Sequence, residues 1–92
     1  MRSRYTAFVR HDTPYLLKTW HASTRPSDIE FDAHLKWLGL TVKSSQTQDH
    51  HATVEFIARY RVGGGSAARM HERSRFVHEQ DGWFYVDGEQ LS

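Results

Sequence analysis

A run of alternating apolar and polar residues from position 54 to 62 constrains the fold more than any other feature of the chain. The apolar set occupies the even positions: Val54, Phe56, Ala58, Tyr60 and Val62. Glu55, Arg59 and Arg61 lie between them, and Ile57 is the exception. Because side chains alternate along a β-strand, this pattern predicts a strand with one buried and one solvated face. Such a strand needs neighbours in a sheet.

Further strands are predicted on both sides of this one. Leu38, Leu40 and Val42 alternate with polar residues or glycine, and Trp83 begins a late aromatic run. Glycine-rich and Asp-Gly steps between such runs are typical of hairpin turns. The predicted order is a strand from 37 to 43, a turn or frayed strand end at 46–50, the strand at 54–62, a reversal at 63–66, a strand at 70–78, a turn at Asp81-Gly82 and a strand at 83–86 that ends at Asp87-Gly88.

The first third of the chain has helical spacing instead. Tyr5, Phe8 and Val9 predict a helix near residues 2–10, and Asp12-Thr13-Pro14 resembles a cap followed by proline in the first turn. The apolar residues of 15–20 predict a second helix or a bent continuation of the first. The spacing of Ser27 and Glu30 fits a capping box, which predicts a short third helix to about His34. The expected fold class is therefore α+β, with N-terminal helices on a curved four-stranded antiparallel sheet.

Composition limits the function classes. The 92 residues suit a single domain over 1–92, and no apolar run approaches the roughly 18 residues of a membrane span. The basic start lacks the apolar stretch of a secretory signal. Without cysteine, the chain has no disulfide or thiolate site, which favours a cytoplasmic location. A net charge of +1 gives no general attraction to nucleic acid or membrane.

Metal binding is not predicted, although the chain has seven histidines. His71-Glu72 is not followed by a second histidine at the zinc-motif spacing, and the adjacent His50 and His51 would point to opposite faces of a strand. We expect no metal and no cofactor.

Glu72 is the most informative single residue for function. It lies between Met70 and Phe76 on the predicted inner face, where a carboxylate must be hydrogen-bonded, paired with a cation or neutralised by a proton. It is interpreted either as a general acid or base in a cavity, helped by His21 or Tyr85, or as the partner of Arg4 in a buried ion pair. The ion pair is the favoured interpretation. The candidate pocket residues are Glu72, His21, Arg4, Ser74, Tyr85 and Trp20.

A second candidate site is a group of arginines on the opposite face of the predicted sheet. Arg59 and Arg61 share one strand face, as do Arg73 and Arg75 on the next strand. If the glycine hairpin brings them into register, they form an anion-binding or nucleic-acid patch. The favoured alternative is a solvated face that Glu55 and Glu79 partly neutralise. The aromatic residues Trp20, Trp37, Trp83 and Tyr85 are predicted to be core.

Six motifs in order resemble the YchJ-like proteins. They are Arg2-Ser3-Arg4-Tyr5 with Ala7-Phe8-Val9, Thr19-Trp20-His21, Trp37-Leu38-Gly39-Leu40, Val54 to Arg59, Glu72 to Phe76 and Trp83 to Gly88. The resemblance implies the middle domain of that family, with a fold similar to nuclear transport factor 2: a cone of helices on a curved sheet. It implies a shape rather than a particular activity.

Two departures from the family pattern are visible. The cysteine-rich SEC-C segments that commonly flank this domain have no counterpart here, so the zinc chemistry of those segments is not expected. The chain is then an isolated domain, a short natural form or a protein whose start lies upstream. In addition, Trp20-His21-Ala22-Ser23 replaces the family's Trp-His-Pro-Ser run.

Three functions are compatible with these features. The preferred one is a binding or accessory domain whose pocket holds a small molecule or a protein segment. The second is an acid/base enzyme of the isomerase or hydratase type, which rests on fold analogy with Glu72 and His21. The third is weak nucleic-acid association through the arginines, and the near-neutral charge makes it the least favoured. A homodimer through one sheet face is compatible with all three.

Overall fold

The alternating runs form one sheet in the computed structural model, which describes residues 1–80 and 82–91. Within those residues the chain forms two short helices and then a four-stranded antiparallel sheet with strands in chain order. The elements are α1 (Arg2–Val9), α2 (Thr13–Lys18), β1 (Leu35–Gln48), β2 (His51–Val62), β3 (Ala68–Glu79) and β4 (Gly82–Gln90). The predicted α+β class is confirmed. No helix in these residues is long and apolar enough to cross a membrane.

Both predicted N-terminal helices form. Asp12 caps α2, because its carboxylate accepts a hydrogen bond from the backbone N–H of Tyr15 at 3.2 Å. The buried side of α1 is different from the predicted stripe. Arg4 and Ala7 are buried, whereas Val9 is 47% exposed. A charged residue therefore occupies one of the two buried positions of the first helix.

The predicted third helix is wrong: residues 27–34 contain no helix. Asp28 and Asp32 each accept a 2.8 Å hydrogen bond from a backbone N–H one or two residues later. Such local bonds offer the backbone an alternative to a helix, and a segment this short has little helical stability of its own. Instead the segment is anchored by Phe31, whose ring stacks on His11 with centroids 4.3 Å apart.

The inner face of the sheet supplies most of the core. Phe56, Ala58, Ser74 and Phe76 are buried there, as the even-numbered alternation predicts, and Leu16 of α2 is fully enclosed. β1 is longer than predicted and includes residues 46–48 of the polar run. The turn predicted at 46–50 therefore occupies only positions 49 and 50.

A bulge in β1 changes which of its residues face the core. The pairing with β2 shifts between Trp37 and Gly39, which leaves Leu38 as an extra residue that is 38% exposed. Trp37 points inward, and its ring meets that of Tyr60 at 5.9 Å. The strand forms as predicted, but the bulge takes Leu38 out of its alternation with Leu40 and Val42.

β4 extends beyond its predicted end. Gly88 pairs with Ser74 and Asp87 with Arg75, so the strand continues to Gln90. A register shift between Arg75 and Phe76 marks a bulge in this pair of strands. The predicted turn at Asp81-Gly82 includes Asp81, which lies outside the described residues. Trp83, predicted to be core, is 42% exposed.

The chain after α2 covers the free edge of β4. The N–H of Tyr85 donates to the carbonyl of Thr19 at 2.8 Å, and the N–H of His21 donates to the carbonyl of Tyr85 at 2.7 Å. This short parallel bridge holds Trp20 against Tyr85, with ring centroids 5.0 Å apart. It fixes both rings at one end of the inner face, next to α1.

Candidate functional site

A cavity of about 130 Å³ lies between α1 and the inner face of the sheet. Most of its wall is aromatic, from Tyr5, Phe8, Trp20, Trp37, Phe56 and Tyr85. Three further side chains, Arg4, Glu72 and Ser74, bring polar atoms into the same wall. For comparison, an apolar cavity of about 150 Å³ in a protein core can hold a benzene molecule.

The charged side chain of Arg4 forms part of this wall. It is only 5% exposed, and its Nη1 donates to Thr19 Oγ1 at 2.7 Å and to the Leu16 carbonyl at 3.4 Å. Its guanidinium carbon is 4.5 Å from the ring centroid of Tyr85 and 5.3 Å from that of Trp20, within the range of cation–π attraction. Burial lowers the pKa of Arg4 from its ordinary value.

Glu72 lies on the opposite side of the cavity and bonds to its own sheet. Ser74 Oγ donates to one carboxylate oxygen at 2.7 Å, and Gln90 Nε2 donates to the other at 2.9 Å. The carboxylate lies over Gly88, where a β-carbon would overlap it.

The favoured ion pair between Arg4 and Glu72 does not form within the described part of the chain. The reason is geometric. Arg4 is turned toward the end of α2 and the two rings, whereas Glu72 is turned toward β4. Two opposite charges therefore face one cavity without contacting each other.

Tyr85 separates this cavity from a second one of about 350 Å³, and Arg4 also lines both. Burial, together with the nearby Glu72 carboxylate, raises the pKa of Tyr85 to about 12. The phenol of Tyr85 therefore stays protonated at alkaline pH values at which an ordinary tyrosine ionises.

His21 lies apart from the other candidate pocket residues. The cavity wall includes Arg4, Trp20, Glu72, Ser74 and Tyr85 but not His21. Its Nε2 is 3.0 Å from a carboxylate oxygen of Glu79, and its Nδ1 accepts the N–H of Ser23 at 3.1 Å. Since Nδ1 is an acceptor, the proton of the neutral ring belongs on Nε2.

The aromatic wall residues Tyr5, Phe8, Trp37 and Phe56 were not among the predicted pocket residues. Phe56 could have been found, because it alternates with the charged positions of β2 and pairs directly with Glu72. Trp37 could not, because its inward direction depends on the bulge in β1.

The four candidate arginines lie in two places. Arg73 is opposite Glu55, with a 3.8 Å separation between charged atoms, and Arg75 forms two hydrogen bonds with Asp87 at 2.6 and 2.8 Å. The Arg75 contact lowers the pKa of Asp87. Arg59 pairs with Arg69 instead, four positions along β3 from Arg73, which is about 13 Å at ~3.3 Å per residue. The register thus prevents a single four-arginine cluster.

Glu55 also contacts a histidine. His71 Nε2 is 2.7 Å from the second carboxylate oxygen of Glu55, so one carboxylate joins His71 and Arg73 on the outer face. Among residues 1–80 and 82–91, no group of three or more histidine, aspartate or glutamate side chains has a geometry that could hold a metal ion.

Comparison with known proteins identifies the family. The model of the YchJ middle NTF2-like domain matches residues 1–88. Two UPF0225 proteins, from a Polaromonas species and from Bordetella pertussis, are each 59% identical over 97% of this chain, which spans 65% and 68% of their lengths. The solution structure of a SEC-C motif containing protein from Rhodopseudomonas palustris matches all of this chain and 76% of its own, at 35% identity and a TM-score of 0.87. The chain therefore belongs to the YchJ-like family, as its middle, NTF2-like domain.

Proposed function

We propose that this domain binds a compact, largely apolar small molecule in the cavity between α1 and the sheet. The observation that carries the proposal is the wall itself: aromatic rings surround a space of about 130 Å³ into which Arg4 and Glu72 bring opposite charges. Ligand sites are typically concave and mostly apolar, with a few polar groups that orient the ligand.

The size of the cavity favours a single ring or a short branched chain over a peptide. A volume of about 130 Å³ is slightly below that of the cavity known to accommodate benzene. A peptide segment would need an open groove or an unpaired strand edge. We therefore expect a ligand of fewer than about ten non-hydrogen atoms, by the same volume comparison.

The hydrogen-bonding groups of Arg4 indicate which polar group a ligand would carry. Only Nη1 of Arg4 has a hydrogen-bond partner, and no side-chain nitrogen in residues 1–80 and 82–91 is fully buried without one. The other guanidinium nitrogens of Arg4 are therefore not fully buried, and Arg4 lines both this cavity and the second one. A ligand with one acceptor, such as a carboxylate or carbonyl oxygen, would satisfy them.

Binding is better supported than acid/base catalysis. Each oxygen of Glu72 already accepts a hydrogen bond, from Ser74 or Gln90. His21, the proposed catalytic helper, bonds to Ser23 and Glu79 away from the cavity. A general base needs a lone pair directed at a substrate proton, and the two hydrogen bonds of Glu72 orient its carboxylate toward Ser74 and Gln90 instead.

The test is a titration of the ¹⁵N-labelled protein with single-ring probes, namely benzoate, phenol and benzyl alcohol, followed by NMR. We expect saturable shifts of the indole N–H signals of Trp20 and Trp37, with benzoate strongest because its carboxylate can reach Arg4. Ala58→Leu would add side-chain atoms inside the cavity and should abolish the shifts.

Ala52→Leu is the matched control, since Ala52 lies on the same strand face but lines the second cavity. Circular dichroism must first show that both variants melt cooperatively. The proposal fails if no probe gives saturable shifts at millimolar concentration, or if Ala58→Leu binds as the parent does.

A further inference from the structure

A group of positive side chains, separate from the cavity, lies at the end of the sheet next to the β2–β3 loop. Register places Lys36 of β1 opposite Arg61 and Arg59 of β2 opposite Arg69. We call Lys36, Arg59, Arg61 and Arg69 the hairpin-end cluster.

All members of the cluster belong to the outer face of the sheet. Trp37 and Tyr60 are a register pair whose rings meet on the inner face, so their neighbours Lys36 and Arg61 point the other way. Ala58 is buried on the inner face and pairs with Met70, which places Arg59 and the adjacent Arg69 on the outer face. The guanidinium of Arg59 lies across Gly39 of β1.

The hairpin-end cluster is exposed, and its charges are not neutralised. Each of its side chains is exposed, and none takes part in an ion pair within residues 1–80 and 82–91. The contrast with the far half of the outer face is direct, since Arg73 is paired with Glu55 and Arg75 with Asp87 there. Positive charge on this face is therefore concentrated near the loop, although the net charge of the chain is only +1.

We propose that the hairpin-end cluster binds the phosphate backbone of a nucleic acid without reading its bases. The cluster spans three strands, or about 10 Å across at ~4.8 Å per strand, and about 7 Å along β2. Four cations on a patch of this size, on an exposed face rather than in a concave site, suit a repeating polyanion better than a small anion. The cluster is formed entirely by lysine and arginine, so it supplies charge but no stacking platform for bases.

The chemistry predicts weak binding with a strong salt dependence. Neutralising four phosphates of a duplex releases condensed counterions, so the logarithm of the binding constant should fall with the logarithm of salt concentration with a slope of about −3.6. Dissociation constants should lie in the range of non-specific binding, about 10⁻⁴ to 10⁻⁶ M near physiological salt.

The experiment is fluorescence anisotropy of a fluorescein-labelled mixed-sequence DNA duplex of twenty base pairs, titrated with protein between 50 and 200 mM salt. The triple variant Arg59→Gln, Arg61→Gln, Arg69→Gln should weaken binding at least tenfold and reduce the slope to about −1. The matched control is Arg2→Gln, Arg10→Gln, Lys18→Gln, which removes the same charge from exposed positions in α1 and α2 and in the turn after α1. Both triples take the net charge from +1 to −2, because each removes three positive charges.

Retention of binding in the control triple, with loss in the cluster triple, supports the proposal. Equal loss in both triples would mean that net charge alone attracts the duplex, and would overturn it. Absence of binding by the parent at 50 mM salt would do the same. A polyglutamate peptide of matched charge that competes as well as the duplex would overturn the assignment to phosphate. If the cluster triple variant unfolds at a lower temperature than the parent, the same titration of the double variant Lys36→Gln, Arg61→Gln provides a second test.

Discussion

Arg4 occupies a position in α1 where most helices would place an aliphatic residue. It is 5% exposed, and its partners are Thr19, the Leu16 carbonyl and the faces of Trp20 and Tyr85. A buried cation is tolerated when hydrogen bonds and ring faces replace its water. The residue therefore joins α1, α2 and β4, in addition to lining the cavity.

Arg4→Met should destabilise the protein by about 2–4 kcal/mol, although it keeps most of the side-chain volume. The loss combines the cation–π contacts with a charged hydrogen bond to Thr19. Urea unfolding of the parent and variant measures the difference. Arg2→Met, on the exposed side of the same helix, should change the free energy of unfolding by less than about 0.5 kcal/mol. A similar small change for Arg4→Met would show that the contacts of Arg4 contribute little.

Tyr85 should give the protein a pH dependence in alkaline solution. Its pKa is about 12 in the folded protein because of burial and the Glu72 carboxylate, against 10.0 ordinarily. Between these two values the unfolded chain has lost the phenolic proton and the folded chain has kept it, so stability falls as pH rises through that window. Below pH 10 the contribution is constant. Absorbance titration near 295 nm should show a tyrosine that ionises near pH 12, and Tyr85→Phe should remove this step whereas Tyr60→Phe should leave it in place. Titration of every tyrosine near pH 10 would contradict the assignment.

At the scale of elements, the two edge strands of the sheet differ. β4 is covered by the chain that follows α2, through hydrogen bonds of Tyr85 with Thr19 and His21. Thr24 closes this contact, because its hydroxyl donates to the Val86 carbonyl at 2.6 Å and accepts the indole N–H of Trp20 at 3.2 Å. β1 has register shifts at two points, and bulges of this kind make an edge a poorer template for pairing with another chain.

Hydrogen exchange should detect this difference between edges. The amide of Tyr85 should be protected, although β4 is an edge strand, because it donates to Thr19. Thr24→Val should speed its exchange by roughly five- to tenfold, the equivalent of about 1 kcal/mol for one lost hydrogen bond. Thr41→Val, on an exposed site of β1, is the control and should leave that rate unchanged. Exchange of the Tyr85 amide at the rate of an unstructured peptide would refute the edge contact.

For the whole molecule, patterns that repeat along the chain could be predicted and pairings that depend on irregularities could not. The alternation in β2 predicted its buried face because a core lies on only one side of the sheet. The helix predicted at 27–34 does not form, because a short segment with a capping signal but no packed apolar face has little helical stability. The alternation in β3 places Glu72 and Ser74 on one face, whereas the position of Gly88 opposite Ser74 depends on the register shift between Arg75 and Phe76, for which the local sequence has no signal.

The clustering of surface charges could likewise be predicted only in part from the sequence. Arg59 and Arg61 were predicted to share a face, and they do. Their actual neighbours, Lys36 and Arg69, follow from the length of the β2–β3 loop and the offset of β1. Pairing of Arg75 with Asp87 likewise required β4 to run past its predicted end. Charge clusters on a sheet therefore follow from register, which the chain specifies only once its loops and bulges are formed.

The carboxylate of Glu72 lies over Gly88, in the space that a side chain on β4 would fill. A substitution at position 88 therefore affects the side chain at position 72, and the two positions must be redesigned together. Enlarging residue 88 would displace the Glu72 carboxylate or call for a shorter residue 72, and in either case the acidic group of the cavity wall changes. The absence of a side chain at Gly88 thus leaves room for the carboxylate of Glu72, which is the acidic group in the wall of the cavity.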